Sequence, residues 1–280
     1  MLPAEPERRL SIAIQCYHIG MQDYWTKQQP DKPAFPDILW SRPEGARLGG
    51  KLLIIGGNAH GFIDVGLSYR HAVKSGAGVV KVLLPDALAK TVGMTLENCE
   101  FAPSTPSGSF AKMALNELLI QASWADCVLL AGEFGRNSET AILLESFVQK
   151  YSGVLVVTRD AVDYFLNHSA LLLERPQTCI VGTTSQLQKL AVDSKYTRAI
   201  TTSMDLVPLI ETLHDFSSQH QSYFITHQLG TTIVATHGKI STTKTGTNED
   251  VWRVPTAAAA AVYWMQSSTK PFEALTTSLL

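Results

Sequence analysis

Four short, predominantly apolar runs constrain this chain more than any other feature. Each is closed by glycine, proline or a polar turn: KLLIIGG at 51–57, GAGVVKVLLP at 76–85, ADCVLLAG at 125–132 and GVLVVTRDA at 153–161. A strand that is apolar on both faces has to be covered on both faces. The stretches between the runs supply the cover: 68–75, 111–122 (AKMALNELLIQA) and 138–151 (SETAILLESFVQKY) have helical spacing, the last opening on a serine cap with acidic residues in its first turn. TCIVGTT at 178–184, YTRAITTSM at 196–204, SYFITHQ at 222–228, TTIVATHGKI at 231–240 and an alanine-rich stretch at 256–265 continue the alternation. Strands alternating with helices of this length predict an α/β protein, with a parallel or mostly parallel central sheet between two helical layers.

Composition narrows the function classes. Apolar residues make up 45% of the 280-residue chain and charged residues 17%, so most of it has the means to fold. Lys plus Arg number 23 against 25 Asp plus Glu, without the basic excess of nucleic-acid proteins. No apolar run approaches the ~20 residues of a membrane span. The first 21 residues, charged early and with one short apolar stretch, do not read as a signal peptide. Cys16, Cys99, Cys127 and Cys179 are too far apart for a stapled secreted domain and read as free thiols in a reducing compartment. The expectation is a cytoplasmic protein with no nucleic-acid or membrane partner.

Residues 1–48 are read as an arm and 49–280 as one domain. Tyr24, Trp25 and Trp40, among Pro30, Pro33, Pro36 and Pro43, predict extended backbone packed on the domain itself or on another subunit of a homo-oligomer.

In a sheet of this kind ligands sit at the carboxyl ends of the strands. Candidate turns there are Gly56-Gly57-Asn58, the segment from Ala131 to Gly135, Thr158-Arg159-Asp160, Val181-Gly182-Thr183 and the segment from Thr245 to Asp250. Glycines let backbone N–H groups approach an anion, and a following helix start adds a favourable dipole. Standard nucleophile, zinc and P-loop motifs are absent. His227 and His237 flank a hairpin-like segment without companion ligands of metal-site spacing.

The order of these turns resembles the ADP- or ATP-dependent NAD(P)H-hydrate dehydratases of the ribokinase-like superfamily. RPEGARLGGKLLIIGGN at 42–58, a helix, and then SGAGVVKVLLP at 75–85 are similar to that family's opening block. The resemblance runs from Arg42 to near the C-terminus and implies a ribokinase-like three-layer αβα fold. It implies a nucleotide site drawn from Gly56, Gly57, Asn58, Gly135, Asp160, Gly230, Thr232, Gly246, Asn248 and Glu249, with Asp250 as the catalytic group. ADP or ATP and Mg²⁺ are the implied cofactors.

Departures from the family's pattern fall on the same turns. The Gly-Pro-Gly-Leu-Gly turn is matched by Ala131-Gly132-Glu133-Phe134-Gly135, which puts an acid in place of a glycine. The Asp-Ala-Asp motif keeps only its second acid, as Asp160. The turn carrying a histidine and a glutamate falls on residues 181–186, where both are missing, and the nucleotide lysine is missing near Gln228. The final anion-hole glycines give way to Asn248 and Glu249 before Asp250. Two like charges ~4 Å apart cost about 1 kcal/mol in water and about 4 at an effective dielectric of 20, so Glu249 disfavours phosphate unless a Mg²⁺ ion lies between. The expectation is a diverged relative, weak or inactive, kept for ligand binding or assembly. The alternative is an active dehydratase or a ribokinase-like small-molecule kinase using Asp250.

Overall fold

A computed structural model of the chain describes residues 23–92, 98–246 and 252–280. In chain order the strands are β1 (Trp25–Gln28), β2 (Lys51–Gly56), β3 (Val79–Pro85), β4 (Cys99–Ala102), β5 (Cys127–Gly132), β6 (Val154–Thr158), β7 (Thr178–Val181), β8 (Tyr223–Gln228), β9 (Thr231–Thr236) and β10 (Lys239–Lys244). The α-helices are α1 (Pro36–Trp40), α2 (Ile63–Lys74), α3 (Ala89–Val92), α4 (Leu115–Trp124), α5 (Ser138–Lys150), α6 (Asp160–Asp163), α7 (Ala170–Leu173), α8 (Thr184–Asp193), α9 (Leu206–Gln219), α10 (Arg253–Gln266) and α11 (Pro271–Thr277).

All ten strands form one sheet in the order β1-β10-β9-β8-β7-β6-β5-β2-β3-β4. Only β9 runs against the rest, between two hairpin turns. The four apolar runs are neighbours and parallel, β3-β2-β5-β6, with Ile54 opposite both Val82 and Leu129. Alternate residues feed opposite cores, as the pleat requires. Leu53, Ile55, Val128, Leu130, Leu155 and Val157 join one, under α4, α5, α8 and α9. Leu52, Ile54, Cys127, Leu129 and Val156 join the other, under α2, α10 and α11. Ala257, Ala258, Ala260 and Ala261 line the buried side of α10 and leave room for it to lie close to the sheet. The fold is therefore the three-layer α/β arrangement expected, with a mostly parallel central sheet.

Several local expectations need correction. The first helix after β2 begins at Ile63, not Ser68, and the 111–122 segment opens with a 3₁₀ turn at Lys112–Ala114 before α4. Asn137 rather than Ser138 caps α5, its side chain accepting from the Glu139 N–H. Residues 196–204 form no strand. Only Ile200 there is buried, and Tyr196 turns back onto Phe216, so the segment is a loop leading into α9.

Within the first 48 residues, β1 lies on the sheet edge, parallel to β10. The Trp25 indole N–H donates to Thr242 Oγ1 at 2.9 Å, and Tyr24 stacks on His214 with ring centroids 3.7 Å apart. The Gln28 amide reaches Thr243 Oγ1 and the Thr276 carbonyl, while Trp40 is 81% exposed.

Candidate functional site

Because nine strands are parallel, their carboxyl ends gather on one edge. Gly56, Gly57, Asn58, Gly135, Asp160, Gly230, Thr232 and Gly246 all lie at or beside that edge. Asn248, Glu249 and Asp250 lie outside the described residues, as does the expected approach of Asp250 to Asn58 or Asp160.

At the middle of the edge the ends of β2 and β5 are pressed together. A Cβ on Gly56 would come 2.6 Å from the Gly132 carbonyl, and the Gly57 N–H donates to that carbonyl at 3.0 Å. Asn58 ties the two turns, its amide donating to the Glu133 carbonyl at 2.6 Å and its Oδ1 accepting from the His60 N–H at 2.8 Å. Gly135 has φ +76°, and its carbonyl accepts from the Tyr164 hydroxyl.

Carboxylates from the chain itself occupy the backbone N–H groups here. Asp160 accepts from Glu133 N at 2.6 Å and from Phe134 N at 3.0 Å. Glu133, in the left-handed region at φ +59°, sends its carboxylate to the Asp64 N–H at 2.8 Å in the first turn of α2. No side chain of Phe62 caps that helix, so Glu133 caps it from a distant part of the sequence. Asp64 is gripped a second time, its carboxylate 2.6 Å from Arg159 Nε. Arg159 is also at φ +59°. Two residues in a backbone region that suits glycine thus converge on one aspartate.

Burial dominates the electrostatics. It pushes the Glu133 and Asp160 carboxyls above the usual carboxylate range, against the pull of their N–H donors. Burial, followed by the proximity of Arg159, lowers Arg253 at the start of α10. Since the two carboxyls are raised in the fold, their contribution to stability is full below the ordinary carboxylate pKa and is lost as pH rises through the folded values. Glu133→Gln keeps an acceptor for the Asp64 N–H and removes the charge. Its melting temperature is expected to gain on wild type between about pH 4.5 and about pH 7.5. A constant difference across that range, by scanning calorimetry, goes against a raised Glu133.

Positions 183 and 186, where the resemblance puts histidine and glutamate, have a different task. Thr183 Oγ1 accepts from Gln186 N at 3.2 Å and the Gln186 amide oxygen accepts from Thr183 N at 3.1 Å, a reciprocal capping box at the start of α8. The Gln186 amide also donates to the Arg159 carbonyl and to Asp163 Oδ1, at 2.9 and 2.8 Å. Gln228, near the missing lysine, accepts from Thr184 Oγ1 and donates to the Thr202 carbonyl.

Among the described residues, two of the clefts on this edge lie beside these turns. One, of about 430 Å³, is lined by Gly135, Arg136, Asp160, Asp163 and Tyr164. The other, of about 270 Å³, lies between the β8–β10 turns and α10 and includes His227, Thr232, Thr245, Gly246 and Trp252. A polar network runs along part of its wall: Thr232 Oγ1 is 3.1 Å from His227 Nδ1 and 2.8 Å from Thr245 Oγ1, with the His227 ring beside Trp252. Among the described residues no three His, Cys, Asp or Glu side chains are placed to hold a metal ion.

Asp64 and Arg253 escaped the sequence reading, and Arg159 and Gln186 entered it only as members of candidate turns. Asp64 sits in a helical turn that the apolar spacing missed, and nothing local marks Arg159 as a residue of left-handed backbone. Gln186 was legible only as a loss, although Thr183 followed by Gln186 has the spacing of a capping box.

No protein-family model matches the chain. It is 24% identical over 221 residues to the bifunctional NAD(P)H-hydrate repair enzyme Nnr of Moorella thermoacetica, covering 70% of this chain and 42% of that protein. The chain thus spans less than half the length of this curated relative. Among solved structures, a ribokinase-like superfamily protein from Enterococcus faecalis superposes with a TM-score of 0.64 at 15% identity, covering 91% of this chain and 85% of that one. An ADP/ATP-dependent NAD(P)H-hydrate dehydratase from Bacillus subtilis, co-crystallised with ATP and Mg²⁺ and soaked with CoA, gives 0.55 at 11% identity over 88% and 84%. The solved structures bear out the ribokinase-like fold, and the curated relative supports the resemblance to the NAD(P)H-hydrate dehydratases.

Proposed function

We propose that this chain is a diverged relative of the nucleotide-dependent NAD(P)H-hydrate dehydratases, with a ligand-binding or assembly role and little or no dehydratase turnover. The observation that carries this reading is the Thr183–Gln186 capping box. The side chains at the two positions that the resemblance assigns to a substrate-side histidine and glutamate are spent on holding α8 and the Arg159 turn. Gln228, likewise tied to Thr184 and Thr202, has no charge to offer a phosphate. The ligand is an adenine nucleotide or part of one, taken up beside Thr232 and Gly246, where hydroxyls, a histidine and an indole line the cleft. Buried Cys127 and Cys179, both free thiols, fit a cytoplasmic protein.

Loss of one preorganised donor from such a site typically costs ~10²–10³ in rate, and several are replaced here. Such losses do not simply multiply. Hydrated NADH, offered with ADP or with ATP and Mg²⁺, is expected to be dehydrated very slowly or not at all. Robust dehydration that Asp250→Asn abolishes would defeat this reading and restore an active dehydratase.

A further inference from the structure

Glu133 follows β5 on the carboxyl edge, where its side chain meets the start of α2. The near wall of the β8–β10 cleft, at the end of β8, and the β5 turn are three strand spacings apart, about 14 Å. That is the reach of an extended nucleotide, so a base seated beside Trp252 points its phosphates toward Asp160 and Glu133. The Glu133 carboxylate already holds the Asp64 N–H, and Asp160 holds the next two free N–H groups. Around Glu133 stand Asp64, Asp160 and Arg159, with Asp163 and Arg253 behind them. Four carboxylates against three guanidiniums, Arg136 beside Asp160 being the third, leave this part of the edge with a net negative charge at neutral pH.

We propose that Glu133 is a specificity-determining residue, a built-in anion that excludes polyphosphate groups from the middle of the edge and restricts the site to uncharged ligands of the nucleoside class. This rests on the nucleotide-cleft reading and sharpens it. Glu133 remains where it is despite a left-handed backbone that suits glycine, because its carboxylate, its N–H and its carbonyl are each tied: to α2, to Asp160 and to Asn58. A phosphate brought beside it meets like charge in a half-buried setting, where such contacts are much stronger than in water.

The test is titration of the full chain with adenosine, ADP and ATP, with and without Mg²⁺, by calorimetry and by thermal shift. Wild type is expected to bind adenosine at least as tightly as ADP. Glu133→Gln, which keeps the shape and the acceptor, is expected to bind ADP about tenfold tighter, the weight of one partly desolvated like-charge contact, with adenosine unchanged. Glu133→Gly, which also relieves the backbone, is the second variant if the first folds poorly. Wild type that prefers ADP over adenosine, with no change in either variant, overturns the role of Glu133 and leaves the nucleotide cleft standing. No binding of any of the three ligands by any of the three proteins overturns both.

Discussion

Gly132→Ala is expected to destabilise the protein by at least about 3 kcal/mol, the range reached by backbone strain combined with a steric clash. The residue has φ +104°, outside the backbone regions open to an L side chain. An added Cβ would also stand 2.6 Å from the Arg159 Cβ and 2.9 Å from Asp160 Oδ1, and neither neighbour is free to yield. The Arg159 carbonyl is held by Gln186 and its guanidinium by Asp64, while Asp160 is pinned by two backbone N–H groups. On a scale of ~2–4 °C per kcal/mol for a chain of this size, the melting temperature should fall by roughly 6–12 °C. Gly66→Ala is the control. It lies inside α2 with nothing within 4 Å of the added carbon, and helix propensity favours it by up to about 1 kcal/mol. If Gly132→Ala melts no lower than Gly66→Ala, the β5 and β6 turns are not packed as described.

Legibility in the sequence followed the range of the interactions. The four buried strands could be read because covering both faces leaves an unbroken apolar run, a property of consecutive residues. The start of α2 could not, because its cap is Glu133, 69 residues away. Residues 196–204, rich in threonine and carrying one isoleucine, have the composition of a strand, and only the lack of a neighbouring strand makes them a loop. The site divides in the same way. Its glycines mark the strand ends, and their order along the chain carried the resemblance. The new tasks of Glu133, Arg159 and Gln186 depend on partners that meet only once the sheet has formed. From the sequence Glu133 and Gln186 registered as departures from the family pattern and Arg159 only as part of a candidate turn, not as a network.

Asp160→Ala is expected to cost about 2–5 kcal/mol, since it removes the acceptor of two backbone N–H groups in a half-buried turn. The N–H groups belong to Glu133 and Phe134, so the loss reaches the core: Phe134 is fully buried, in ring contact with Phe110 and Tyr164. Asp160→Asn is expected to recover only part of that loss, because the two carboxylate oxygens of Asp160 accept one N–H each and the asparagine amide offers a single acceptor oxygen. Two opposing effects act on the carboxylate: the N–H donors favour its charge and burial disfavours it, and burial is the larger. The folded protein therefore favours an uncharged group at this position more than the unfolded chain does, and asparagine supplies one while satisfying one of the two N–H groups. The sign follows from linkage: a carboxyl raised in the fold loses its contribution to stability as pH rises through its folded value, so the comparison should move in favour of asparagine from about pH 4.5 to about pH 7.5. Denaturant unfolding of the three proteins without ligand, at both pH values, separates this structural role from a ligand-binding one. If Asp160→Ala matches wild type in stability and loses only its response to adenosine, Asp160 belongs to the binding surface and the β5 turn holds its shape without it.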